Sequence, residues 1–432
     1  MPSNYNFTQN SFTYSFDDIF VFKDTFDTSA GTGLSGKFFT AGSQDIEDYF
    51  LIDSDIIDTY IGDQAWCWGS GDNGQIGINN MSGPNASSRI TPCPVFGNAV
   101  NWKEVSSGYT HCSAIKSDGS LWAWGRNLGG AIGDNTTVSR STPVREFSSG
   151  TTWKKVACGL QNTLAIKTDG TLFGWGFNQY AQLGINNRDQ RNTPTGVFGG
   201  GNWKEVATGY LHTAAIKTDG TLWSWGNNNY GALGQNSAGW AYFETPVQIT
   251  GGGTNWSKVS CGYSFTAAIK TDGSLWSWGR NNNGQLGISN TLDKTTPVRE
   301  ATSGTTWKSL DCGKKNVAAV KTDGTAWCWG NNDYEQLGAN LLNSYPSKHR
   351  SSPVLVFGGG TNWKQVAIGR RTALAVKTDG TMWTWGDNSY GVTVQNLTSG
   401  DFDTPVPILS NGTNWKQVSL GYQTAAAIST GP

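Results

Sequence analysis

Histidine is scarce, with three in 432 residues, at His111, His212 and His349. So few imidazoles leave little for a metal centre or a general-base cluster. No nucleophile elbow, phosphate-binding loop or paired metal ligands accompany them, so no enzyme, metal or cofactor is expected. The seven cysteines show no Cys-x-x-Cys spacing, which argues against structural zinc. Cys158, Cys261 and Cys312 share one repeat position, and Cys67 and Cys328 share another; they read as small buried residues, not disulfide partners. No apolar run approaches a membrane span. The first ten residues, MPSNYNFTQN, lack a basic start and an apolar core, so no signal peptide is expected.

Net charge is also low, at −1, but it is unevenly spread. Residues 1–64 hold 11 acidic and 2 basic side chains, and the remainder holds 21 acidic and 29 basic. An acidic appendage on a mildly basic body implies different electrostatic roles. The basic excess is diluted over the long remainder, so nucleic acid is not the expected partner.

What the chain has in abundance is tryptophan, 21 residues, and glycine, 57. They are ordered by a repeat, best seen in Trp203–Gly234, WKEVATGYLHTAAIKTDGTLWSWGNNNYGALG. A leading indole recurs as Trp102, Trp153, Trp203, Trp256, Trp307, Trp363 and Trp415. An aromatic-x-Trp-Gly strand recurs with Trp66, Trp122, Phe173, Trp223, Trp276, Trp327 and Trp383 in first place. The residue between its two rings is always small: Cys67, Ala123, Gly174, Ser224, Ser277, Cys328 or Thr384. Asp118, Asp169, Asp219, Asp272, Asp323 and Asp379 mark Asp-Gly hairpins, each 16 residues after its leading Trp. Length varies elsewhere, chiefly before the Pro of Thr-Pro-Val, so a rigid frame carries adjustable loops.

Each unit offers four short strands: Trp-Lys-x-Val, the Ala-Ala-Ile run, Leu-Trp-x-Trp and Thr-Pro-Val. A period of about 50 residues with four strands suits a propeller blade. The first Trp-x-Trp strand has no hairpin partner before it, and the last unit, from Trp415, has no such strand after it. Pairing them completes a seventh blade and closes the ring, which removes the two open sheet edges. The expectation is an all-β, seven-bladed β-propeller of four-stranded antiparallel blades at 62–432, with an acidic aromatic segment at 1–61.

The run Trp278-Gly279-Arg280-Asn281-Asn282-Asn283-Gly284-Gln285-Leu286-Gly287, with variants after Trp124, Trp175, Trp225 and Trp329, resembles the signature of the regulator of chromosome condensation repeat family. The chain departs from it after Trp385, at Gly391-Val392-Thr393-Val394. The resemblance implies a seven-bladed propeller that works as a binding scaffold; one branch exchanges nucleotide on a small GTPase and a plant branch senses UV-B. It leaves the function of this chain open.

Several features stand out from the frame. Lys314-Lys315 and Arg370-Arg371 follow the repeat glycine in consecutive units, where other units carry Tyr109, Tyr210, Tyr263 or Tyr422. Equivalent positions in adjacent blades lie side by side, so four cations should cluster and receive an acidic protein, an acidic glycan or phosphate. Trp240, Tyr242 and Phe243 form an aromatic insert in a variable loop, a candidate contact anchor. Phe12, Tyr14, Phe16, Phe20 and Phe22 form a strand-like aromatic pattern suited to docking on a larger assembly. His111 and His212 share a repeat position, which points to a structural hydrogen bond. The lysines two residues before each hairpin Asp read as part of the hairpin. The layout suggests a non-enzymatic binding or structural propeller, in a phage virion or tail, or alternatively a cytoplasmic regulatory scaffold with a protein partner.

Overall fold

The structure is a computed structural model that describes residues 62–79, 88–97, 100–239, 241–340, 348–358, 360–393, 401–408 and 414–430, and the short strands Phe7–Gln9 and Phe12–Tyr14. Local chemistry sets the hairpins. In the unit that begins at Trp203, Asp219 Oδ1 accepts bonds from the Thr221 amide (2.9 Å) and hydroxyl (2.7 Å). Gly220 turns the chain with φ +80°, and an added Cβ there would sit 2.1 Å from the Thr254 carbonyl. Glycine is therefore required twice over. The strands on either side, His212–Lys217 and Leu222–Asn227, pair antiparallel.

Seven four-stranded antiparallel sheets result, in accord with the sequence expectation. In each, the Trp-Lys-x-Val strand is innermost and touches its counterparts on the blades to either side, so seven such strands line a central channel. The last blade joins remote chain segments, in the order Trp415–Leu420, Thr424–Ser429, Gln64–Gly69 and Arg89–Pro94. Trp66 lies opposite Ala427 and Cys67 opposite Ala426. Trp66 Nε1 donates to Ser429 Oγ at 2.8 Å.

The blades are joined by the second indole of each Trp-x-Trp strand. Trp124, Trp175, Trp225, Trp278, Trp329 and Trp385 are fully buried. Each donates Nε1–H to a carbonyl of the preceding blade's returning loop: Gln75, Ala131, Gln182, Ala232, Gln285 and Gln336, at 2.9–3.1 Å. The final glycine of that loop lies against the ring; a Cβ on Gly184 would meet Trp225 Nε1 at 2.6 Å. The unusual Gly391-Val392 ending keeps the function, because Val392 O accepts Trp68 Nε1–H at 2.8 Å. On the opposite side of the strand, the small middle residue admits the blade's own loop, as where Ser224 Oγ donates to Leu233 O at 2.7 Å.

Phe12 and Tyr14 lie in a two-stranded antiparallel pairing, Phe7–Gln9 with Phe12–Tyr14. Phe16, Phe20, Phe22 and Trp240 lie outside the described residues.

Candidate functional site

Each innermost strand ends in a glycine-headed turn that opens onto the same end of the channel. Because third strands run parallel to first strands, the variable loops that follow them open at that end as well. A cavity of about 120 Å³ lies there, lined by the ends of the seven inner strands and by Tyr109, Tyr210, Tyr263, Lys314, Arg370 and Tyr422. These six side chains occupy equivalent positions, with Leu160 at the seventh. Tyr109 stacks on Tyr422 (3.9 Å between ring centres, 31°), and Tyr210 on Tyr263 (4.4 Å, 40°). Tyr109 meets Tyr210 edge-on at 6.2 Å. The cations complete the circle: Lys314 Nζ is 5.4 Å from the Tyr263 ring and 5.8 Å from that of Tyr422, and Arg370 Cζ is 4.7 Å above Tyr422.

The four sequence-predicted cations do not behave alike. Arg371 turns aside to an ion pair with Asp387 Oδ2 at 3.1 Å and stacks on Tyr334 at 4.1 Å. Lys314, Lys315 and Arg370 have no carboxylate within ion-pair distance among the described residues. Burial, then the neighbouring Arg370, Lys315 and Arg371, hold the Lys314 ammonium below the ordinary lysine range. Asp311, three residues before Lys314, is committed to a seam between blades, where Oδ2 accepts Ile368 N–H at 2.8 Å and Oδ1 accepts Ser260 Oγ–H at 3.4 Å.

The aromatic insert differs from its expectation as a loop. Tyr242 and Phe243 open the outer strand Tyr242–Gln248, opposite Asn227 and Gly226. Their third strand runs one residue further than most, so the fourth starts earlier and captures both rings. Phe243 packs on the cluster that holds Trp203 and Trp225. Tyr242 faces Tyr180 and Arg188 at 5.9 and 5.6 Å.

The hairpin lysines serve the frame through rings. Lys217 Nζ lies 4.8 Å from the Trp203 ring and 4.7 Å from that of Trp223, and the other five repeat this arrangement. His111 and His212 each place Nε2 2.9 Å from a threonine hydroxyl of the next blade, Thr163 and Thr266. Burial pushes both imidazoles down to about 4.

Sequence reading missed a belt in the channel wall. Lys155 and Lys258 lie 3.5 and 2.9 Å from opposite oxygens of Glu205. Glu104 Oε1 accepts the Val156 amide at 3.0 Å, and Lys155 is among the charges acting on it. Gln365 and Gln417 bridge two further junctions by side-chain bonds to Val418 and Val105, while Ser309, at the same position of the blade that starts at Trp307, makes no such bridge. The signal was the third residue of Trp-Lys-x-Val, polar in every unit. Also missed were Phe96, Phe147 and Phe198, all exposed at equivalent positions of three consecutive blades. They follow the outer strand's end, where the repeat sets no size.

Residues 197–431 match the RCC1-like domain. Residues 63–115, 118–166 and 169–216 match the regulator of chromosome condensation (RCC1) repeat. The chain belongs to the regulator of chromosome condensation repeat family. The ultraviolet-B receptor UVR8 of Arabidopsis thaliana is 31% identical over 76% of this chain, which spans 62% of that relative. The probable E3 ubiquitin-protein ligase HERC6 of Homo sapiens is 29% identical over 62% of this chain, which covers only 21% of the ligase. In fold, Prp20p of Saccharomyces cerevisiae superposes with a TM-score of 0.75 at 20% identity, over 88% of this chain and 95% of that one. Human WBSCR16 gives 0.72 at 19% identity, over 85% and 99%. Membership in the RCC1 repeat family accounts for the frame and does not by itself assign a function.

Proposed function

We propose that this chain is a non-enzymatic regulatory scaffold that binds an acidic protein partner at the mouth end of its propeller. The observation that carries the reading is the set Lys314, Lys315 and Arg370. Burial and the neighbouring Arg370 and Lys315 hold the Lys314 ammonium below its ordinary range, Lys314 and Arg370 line the mouth, and none of the three cations has an acid in ion-pair reach among the described residues. Such an arrangement opposes folding of the free protein and is relieved by an incoming anion. It also sits at the end where the adjustable loops open, on a rigid closed frame, as binding surfaces commonly do. The relatives support a regulatory, protein-binding role over a virion one. UVR8 is a receptor; Prp20p of yeast binds Gsp1p and histones, and yeast RCC1 is also seen bound to Kap60. The ligase activity in the name of HERC6 is not carried over, since most of that chain has no counterpart here.

In this reading 62–432 is the binding unit. Residues 1–61, with Phe12, Tyr14, Phe16, Phe20 and Phe22, tether it to a larger assembly.

The test is affinity capture from a native extract with the full chain and with K314S/K315S/R370S. Arg371 is left in place because its loss would strand Asp387. Proteins retained by the parent should fall at least about tenfold with the variant, the scale of losing charge-assisted contacts. Equal capture by both proteins refutes the reading.

A further inference from the structure

The geometry points to a specific ligand at the mouth: we infer that it is a carboxylate pocket, into which an acidic peptide of the partner inserts one carboxylate between Lys314 and Arg370. The flanking apolar part of the peptide rests on Tyr422 and Tyr263. This deepens the scaffold reading and rests on it.

Three observations select this chemistry. The first is the pair of cations. Lys314 and Arg370 both face the Tyr422 ring, at 5.8 and 4.7 Å, and belong to the same cavity wall. A group between them meets an ammonium and a planar fork of N–H donors, a strong setting for a carboxylate. The second is the aromatic arc. Tyr263, Tyr210, Tyr109 and Tyr422 form a rigid ledge that adjoins both cations, and tyrosine contributes contact area at small entropic cost. A ligand that combines a carboxylate with apolar surface uses both parts of the wall, whereas a bare inorganic anion uses one.

The third observation removes the mouth glycines as a phosphate cradle. Phosphate sites are commonly built from free backbone N–H groups. Here the mouth glycines have none to offer. The amides of Gly108, Gly159, Gly209, Gly262, Gly313, Gly369 and Gly421 all donate within their own turns, to His111, Asn162, His212, Phe265, Asn316, Thr372 and Thr424 at 2.8–3.0 Å. Tyr109 and Tyr210 donate their amides to Gly159 and Gly262, and Tyr263 to Lys314, at 3.0–3.4 Å. The glycine turns therefore supply no anion cradle, and the positive charge for a ligand comes from the Lys314 and Arg370 side chains. The cavity, about 120 Å³, has room for a carboxyl group and its first methylenes, at roughly 30 Å³ per water-sized group.

The experiment uses the full chain and a fluorescein-labelled peptide in which Glu alternates with Tyr, acetylated and amidated so that only side chains carry charge. Fluorescence anisotropy should show saturable binding that weakens with salt. The same peptide with Gln for Glu should bind at least about tenfold more weakly. K314S/R370S should lose at least about tenfold, and Y422L several-fold. The control K154S/K308S removes the same charge from exposed starts of inner strands, and should stay within about twofold of the parent. Equal weakening by both double variants would mean that only general attraction is at work, and would overturn the proposal. So would equal binding of the Gln peptide, or competition by inorganic phosphate as effective as that by a Glu peptide. If the peptides fail while K314S/K315S/R370S still loses native partners, the carboxylate pocket is wrong and the scaffold reading survives.

Discussion

Each tryptophan class in this protein is defined by one atom or one neighbour. The second indole of Trp-x-Trp is held by a carbonyl of the preceding blade, and the ring in first place lies beside a lysine in six blades and is bonded to Ser429 at Trp66. Because Lys217 covers both Trp203 and Trp223, Lys217→Ala should lower stability by about 0.5–1 kcal/mol, measured by urea unfolding. The buried histidines set the acid limit. His111 and His212 titrate near 4 when folded, against about 6.5 when unfolded. Between these values the unfolded chain takes up more protons, so stability falls as pH drops, by up to about 3 kcal/mol per histidine. His212→Asn should flatten that part of the pH–stability curve. Asp311 has the opposite sign. Burial raises its carboxyl to about 6, so it contributes instability that grows as pH rises toward and through that value. Asp311→Asn, which keeps an oxygen for the Ile368 amide, should gain stability at pH 7 and little at pH 4. Equal gains at both values would count against a buried charge.

At the scale of the element, the sequence was informative wherever one position repeats in every blade. Asp-Gly named the hairpins, and the uniformly small residue inside Trp-x-Trp marked a crowded position, which the structure places against the blade's own loop. The glycine that ends that loop can be tested against one that only turns the chain. Gly184→Ala forces a Cβ to 2.6 Å from Trp225 Nε1 at φ +70°, while Gly199→Ala at φ +102° meets no atom within 4 Å. Urea unfolding should show about 1 kcal/mol lost at Gly199 and at least about 2–3 kcal/mol at Gly184, where overpacking adds to backbone strain. Where a role depends on a neighbour distant in the chain, the sequence was mute. Arg371 looked equivalent to Arg370, yet Asp387 in the third strand of its own blade captures it. Tyr242 and Phe243 looked like loop anchors because nothing local shows that their third strand extends to Asn227. The belt through Glu205 was hidden because its partners Lys155 and Lys258 belong to other blades.

The whole molecule depends on a join between residues more than 350 positions apart. Trp66–Gly69 pairs with Thr424–Ala427, and the site depends on this too. Tyr422 belongs to the closing blade and stacks on Tyr109 of its neighbour, so an open ring would lose half of the aromatic ledge and the surface under Arg370. The most direct check is amide hydrogen exchange on the intact chain. Amides of Gln64–Gly69 and Thr424–Ser429 should be protected as strongly as those of Leu222–Asn227 and His212–Lys217, and should exchange only with global unfolding. Fast exchange confined to the first pair of strands, with the second pair still protected, would show a ring that is not shut and contradict this account.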